Sequence, residues 1–207
     1  MKWALIKKAK PAAAKKYSAW KPELAEESGY RCVYCCIHEG MFGGIRNYHV
    51  EHFRPKSKFK HLEHEYSNLF YACSICNVFK GDSWIEPPGE VTNWGAKYFP
   101  DPSTVDLSTV LEYVDGQRVS SKFVSGRFLI ERLHLNRPQL VLARRASAVR
   151  AELDCQCADL ARLAQGVEIR SAADGELLKE IIGLMRQVVA VIVQLSEVRP
   201  YVPAGTR

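Results

Sequence analysis

No stretch of this chain is apolar enough to cross a bilayer. The longest run without Asp, Glu, Lys or Arg is Tyr66–Phe79, 14 residues interrupted by Ser67, Asn68, Cys73, Ser74, Cys76 and Asn77, whereas a membrane helix needs ~20 apolar residues. The first lysines are followed by no apolar signal core, so the expected location is the cytoplasm, with no membrane partner. Acid is missing from residues 1–22, which hold Lys2, Lys7, Lys8, Lys10, Lys15, Lys16 and Lys21; the remainder balances 22 basic against 23 acidic residues. The net charge of +6 therefore belongs to the start of the chain. A solvated tail and a polyanion-binding segment both fit it. There is no G-x-x-x-x-G-K-[ST] run to cradle phosphates, which excludes a P-loop nucleotide switch within these 207 residues. With 47% hydrophobic and 25% charged residues, disorder and fibrous architecture are excluded as well.

The seven cysteines are an odd number, which argues against a disulfide framework. Their spacing points elsewhere. Cys32-x-x-Cys35 and Cys73-x-x-Cys76 are two knuckles, each able to offer two thiolates to a tetrahedral metal. Four sulfur ligands leave no open coordination position, so such a zinc is structural. Cys36 could compete with Cys35 as a ligand, and His38 could replace a cysteine. Cys155 and Cys157 fall in a helical stretch and read as small buried hydrophobes.

Between and after the knuckles the chain reads His49-Val50-Glu51-His52-Phe53-Arg54-Pro55-Lys56, then Asn68-Leu69, then Cys76-Asn77-Val78-Phe79-Lys80-Gly81. Glu51 and Asn77 supply hard oxygen ligands for Mg²⁺ or Mn²⁺. His52 can accept a proton from water near neutral pH. Lys80, Arg54 and Lys56 can hold phosphate charge. Adjacent residues on a strand face opposite sides, so Glu51 and His52 can reach one phosphate only where a strand ends or bulges. Arg54, Lys56, Lys58 and Lys60 would line one face of extended chain, a shape suited to tracking a phosphate backbone. His49 could add a ligand or a substrate contact; His61 and His64 read as solvated.

These motifs together, over about residues 30–82, resemble the HNH endonucleases of the ββα-metal (His-Me finger) class with an embedded four-cysteine zinc. The resemblance implies that Glu51 binds the catalytic metal, in a place where Asp is commoner, and that His52 is the general base. It further implies that Asn68 holds the loop between the strands and that Asn77 is the second metal ligand. The substrate implied is nucleic acid, DNA ahead of RNA. The wording His52-Phe-Arg-Pro-Lys-Ser57, with Leu135-Asn136-Arg137-Pro138 and a long helix after it, is similar to the HNH subunits of Septu-type and retron-linked anti-phage systems. That likeness implies a regulatory partner, an ATPase of the SMC or ABC kind. A zinc-stapled nucleic-acid-binding module without catalysis is the rival from another class; the Glu51-His52 pair with Asn77 speaks against it, because binding alone needs neither.

The expected fold is therefore α+β: a basic segment at 1–22, a nuclease core at 23–90, and a hairpin plus helical region at 91–207. A short helix over 23–28 stops at Gly29. Strands are expected at 49–53 and 59–64, and a helix from Ser74. Asp115-Gly116 marks a hairpin turn. Helices are expected over 126–135, from Pro138 to Gly166 and, after a capping box at Ser171, to about Leu195. That last helix is apolar around much of its girth and must be buried or meet another chain. Trp3, Leu5, Ile6 and Trp20 are candidates to order against a partner.

Overall fold

The computed structural model describes residues 3–9, 15–89, 94–166 and 172–196. Lys2, Lys10 and Ser171, and the side chains of Leu160, Leu163, Val191 and Leu195, lie outside what it describes. The chain divides into two compact units, 1–144 and 145–207.

In the first unit, α1 (Lys21–Glu27) starts on Pro22 in its first turn and stops where Gly29 takes a φ of +59°, a conformation that costs glycine little. The first knuckle follows as a tight loop closed by Cys36 N–H on the Cys32 carbonyl (2.9 Å) and Cys32 N–H on the Ile37 carbonyl (3.0 Å). Next, β1 (Tyr48–His52) pairs antiparallel with β2 (Leu69–Cys73), with Glu51 opposite Phe70 and His52 opposite Leu69. The chain turns directly from β2 into α2 (Ser74–Lys80). This antiparallel pair followed by a helix is the expected ββα unit, and the knuckle seals it: Val33 N–H donates to the Tyr71 carbonyl at 2.9 Å.

The second strand is not where the sequence places it. Residues 59–64 form a 3₁₀ turn at Lys60–Leu62, and the strand is Leu69–Cys73, buried at every position. A strand covered on both faces shows no polar alternation, which hides it in the sequence. The basic run at 54–60 accordingly forms turns, not an extended phosphate-tracking face.

Residues 3–9 also differ from a free tail. Trp3 is buried, its indole N–H on the Tyr34 carbonyl (2.9 Å) and its ring stacked on Tyr113 at 4.8 Å. Lys8 pairs with Glu27 at 3.2 Å, donates to the Leu69 carbonyl, and lies over the rings of Tyr66 and Phe70. Trp20 packs edge-on against Tyr66. Trp3, Ile6 and Trp20 pack on the core of their own chain, whereas Leu5 stays exposed.

The hairpin β3 (Glu112–Val114) and β4 (Arg118–Ser120) turns through Asp115, Gly116 and Gln117, with Asp115 and Gly116 both at positive φ, the conformation that Asp-Gly favours in hairpin turns. It belongs with α3 (Val124–Arg132) to the first unit. Helix α4 (Pro138–Gly166) begins in that unit, and its remainder forms the second unit with α5 (Ala172–Ser196). Within the second unit Ile181, Leu184 and Val188 are exposed. Cys155 is exposed as well and Cys157 half-buried, so neither is the buried hydrophobe expected: on α4 both stand among Glu152, Asp154 and Asp159, on faces that solvent reaches. No described helix is long and apolar enough to cross a membrane.

Candidate active site

Two chain segments distant in sequence converge on the cysteines. Cys32 and Cys35 come from the knuckle loop, Cys73 ends β2, and Cys76 sits in the first turn of α2. Their sulfurs all lie within 4.8 Å of one another and all four residues are buried. Cys35 and Cys73 Sγ are 3.8 Å apart, which matches the edge of about 3.8 Å in a tetrahedron with Zn–S bonds of about 2.3 Å. No described cysteine is in a disulfide. Burial holds the Cys32 thiol well above its ordinary range, whereas hydrogen bonds from Cys32, Cys35 and Cys76 pull Cys73 down. Four thiolates can coexist here only around a cation, and an all-sulfur donor set fits zinc. Cys36 stays out of the cluster, and His38 caps Gly40 N–H through Nδ1 at 3.0 Å.

Beside this cluster, β1 ends at His52, so Glu51 and His52 both line one pocket of ≈ 450 Å³ together with Tyr17, Lys21, His49, Lys56, Asn77 and Asp82. Glu51 is buried. Its Oε1 receives the Lys80 ammonium at 2.6 Å and the Tyr34 hydroxyl at 3.2 Å, which leaves Oε2 as the oxygen for a cation in the pocket. Burial raises its carboxyl above the ordinary carboxylate range against the pull of Lys80, so a cation here would help keep it ionised. A carboxylate and a carboxamide facing one pocket are a hard-oxygen donor set suited to Mg²⁺ or Mn²⁺.

His52 is fixed by its far edge. Nε2 lies 2.9 Å from the Glu63 carbonyl; a carbonyl only accepts, so Nε2 carries the hydrogen and Nδ1 keeps its lone pair. Burial lowers the imidazole from its ordinary value of 6.5, which favours the neutral base. The Tyr17 ring meets the imidazole edge-on at 4.8 Å. Asn77, half-buried on α2, contacts His49 (Nδ2 to Nδ1, 3.1 Å). Asn68 accepts Arg54 N–H at 2.8 Å and donates to the carbonyls of Arg54 (3.0 Å) and Leu62 (3.3 Å), tying both ends of the loop between the strands.

The basic residues separate. Lys80, expected to hold substrate charge, is fully buried and bonds Glu51 and the His52 carbonyl (3.0 Å); it faces inward because it closes α2 against β1. Lys56 lines the pocket, bonded to the Tyr17 hydroxyl at 3.3 Å and 3.5 Å from Glu63. Arg54 is exposed and lies over the rings of Phe59 and Trp84. His61 and His64 are both exposed, as expected, and His64 Nδ1 also accepts Tyr17 N–H at 3.4 Å. Tyr17 and Asp82 were not legible as pocket residues. Tyr17 belongs to no motif, and Asp82 follows one at a position where loop acids are common.

Because Lys80 and Glu51 are a buried ion pair, removing one partner strands the other charge. Lys80→Met is expected to destabilise the first unit by about 3–5 kcal/mol, read from the urea midpoint. An unchanged midpoint would show that Glu51 does not need its partner.

Residues 32–83 match the family model described as HNH endonuclease. No curated protein matches the chain. The matched segment holds both knuckles, β1, β2 and α2, and with them the four-cysteine cluster that fits zinc.

Proposed function

We propose that this chain, from its HNH endonuclease segment at residues 32–83, is a metal-dependent nuclease hydrolysing phosphodiester bonds in nucleic acid, DNA ahead of RNA. The observation that carries the reading is the convergence of Glu51, His52 and Asn77 on one pocket, with the imidazole held in its basic tautomer by the Glu63 carbonyl. Glu51 Oε2 and the Asn77 carboxamide oxygen would hold Mg²⁺ or Mn²⁺, which when bound polarises a phosphate oxygen and stabilises the departing one. His52 Nδ1 takes a proton from the attacking water. Lys80 ties the Glu51 side chain and the His52 backbone to one ammonium and so fixes their relative position. Lys56 and Arg54 are the cations left to meet substrate phosphates. Zinc at Cys32, Cys35, Cys73 and Cys76 is structural.

The finer role, an anti-phage effector acting beside an SMC- or ABC-type ATPase, is supported by the wording of residues 52–57 and 135–138. Co-expression with a neighbouring ATPase gene and co-purification tests it; a chain that never joins such a partner overturns it. The nuclease reading is tested by incubating the purified chain with plasmid and with total RNA, with Mg²⁺, Mn²⁺ or chelator. Divalent-dependent cleavage of the plasmid is expected. Retained DNA binding with no cleavage under either metal would return the chain to a binding module.

A further inference from the structure

Arg137 stands one residue ahead of α4 and reaches back to sulfurs that are 61 to 102 residues away along the chain. Its Nη2 lies 3.6 Å from Cys76 Sγ and 3.9 Å from the sulfurs of Cys35 and Cys73; Nη1 lies 3.7 Å from Cys76. Three of the four candidate ligands thus receive N–H donors from one guanidinium, whose planar fork suits several acceptors at once. Such contacts matter because of charge. Four thiolates around a divalent cation carry two net negative charges, and here those sulfurs belong to residues at 0–1% exposure. Buried charge without a partner is costly. Among the described residues Arg137 is the side-chain cation that donates to these sulfurs.

Its position has a second consequence. A groove of ≈ 640 Å³ opens between α2, α3 and the start of α4, lined by Ile75, Phe79, Ile130, His134 and Pro138, with Arg137 among them. Arg137 is a half-buried residue that lines the groove and also reaches the buried cysteine sulfurs, so it stands between that groove and the thiolates. Neither knuckle motif signals this residue, and it lies outside residues 32–83.

We infer that Arg137 is the counter-cation of the four-cysteine metal centre, holding zinc by donating to Cys35, Cys73 and Cys76 and screening their sulfurs from reagents that enter by the groove. The inference rests on the structural-zinc reading. Arg137 also clamps its own loop, through Nη1 to the carbonyls of Leu133 (3.2 Å) and His134 (3.4 Å), so the readout must be one that loop clamping would not move.

The test compares the full-length native chain with Arg137→Gln and Arg137→Lys. Zinc transfer to a chromogenic chelator and alkylation by iodoacetamide are followed at a temperature where all three are folded by circular dichroism. Partners of metal ligands typically contribute 10–100-fold to metal affinity, so R137Q is expected to release zinc about tenfold faster and to alkylate faster. R137K, which keeps the charge but not the fork, is expected to fall between. If R137Q does not fold, R137K alone decides: faster release than native supports the role, and the native rate overturns it. Native-rate release from R137Q, with zinc present in the native chain, overturns the counter-cation role alone. A native chain that purifies without zinc overturns the metal reading and this inference with it.

Discussion

Cys73→Ala is expected to strip the metal and unfold the ββα unit while leaving helical signal from α4 and α5. Cys73 has three structural tasks. It closes β2 opposite Tyr48, it caps α2 by accepting Cys76 N–H on its sulfur at 3.4 Å, and it sits 3.8 Å from Cys35 in the cluster. Alanine keeps the strand pairing and loses the other two. The cap alone is worth about 1 kcal/mol. The metal is the larger loss: structural zinc contributes about 10–16 kcal/mol in small zinc domains, comparable with the whole stability of a typical domain at about 5–15 kcal/mol. Three buried thiols then face one another without a cation, beside the Arg137 charge. Zinc content by elemental analysis and near-ultraviolet circular dichroism of the tyrosine-rich core check this. A variant that keeps its metal and melts with the native chain would remove Cys73 from the ligand set.

The knuckles were legible because the chemistry is local: two C-x-x-C spacings survive any uncertainty about what lies between them. The glycine stop after α1, the Asp115-Gly116 turn and the helix from Ser74 were legible for the same reason, since each depends on a few neighbouring residues. What was hidden depends on packing. Leu69–Cys73 carries no alternation because both its faces are covered, while the charged, loosely alternating 59–64 imitated a strand it does not form. Lys80 looked like a substrate contact, since a lysine at the end of a site motif is usually exposed; only the closure of α2 on β1 turns it inward onto Glu51. Arg137 could not be found at all from spacing, because its partners are brought to it by the whole first unit. Trp3 looked like a residue to order against a partner and Lys8 like part of a solvated or polyanion-binding segment; their packing follows from the shapes of Tyr34, Tyr113, Tyr66 and Phe70, which no pattern in residues 1–22 reveals.

His52→Ala is expected to keep the fold and the zinc and to lose cleavage by about 10²–10⁴-fold, the usual range for a positioned general base. The fold should survive because the imidazole makes one hydrogen bond, to the Glu63 carbonyl, and one edge contact, to Tyr17. The loop behind it is held independently by Asn68 through Arg54 and Leu62. The chemistry should not survive, because the Glu63 bond occupies Nε2 and leaves Nδ1 as the ring lone pair for the proton acceptance proposed for His52. The pH profile gives the same assignment a second signature. The protonated imidazole cannot accept a proton, so cleavage must rise with pH as His52 loses its charge. Burial holds that transition below the ordinary 6.5, so the acid limb of the native profile should lie below pH 6.5 and be absent from the residual activity of the variant. His49→Ala is the control. Its Nδ1 meets Asn77, the proposed metal ligand, so the variant should weaken the response to metal while retaining the acid limb. If His52→Ala cleaves at the native rate and His49→Ala abolishes the limb, the two histidines exchange roles, and the proton acceptor is the exposed residue on β1, not the buried one at its end.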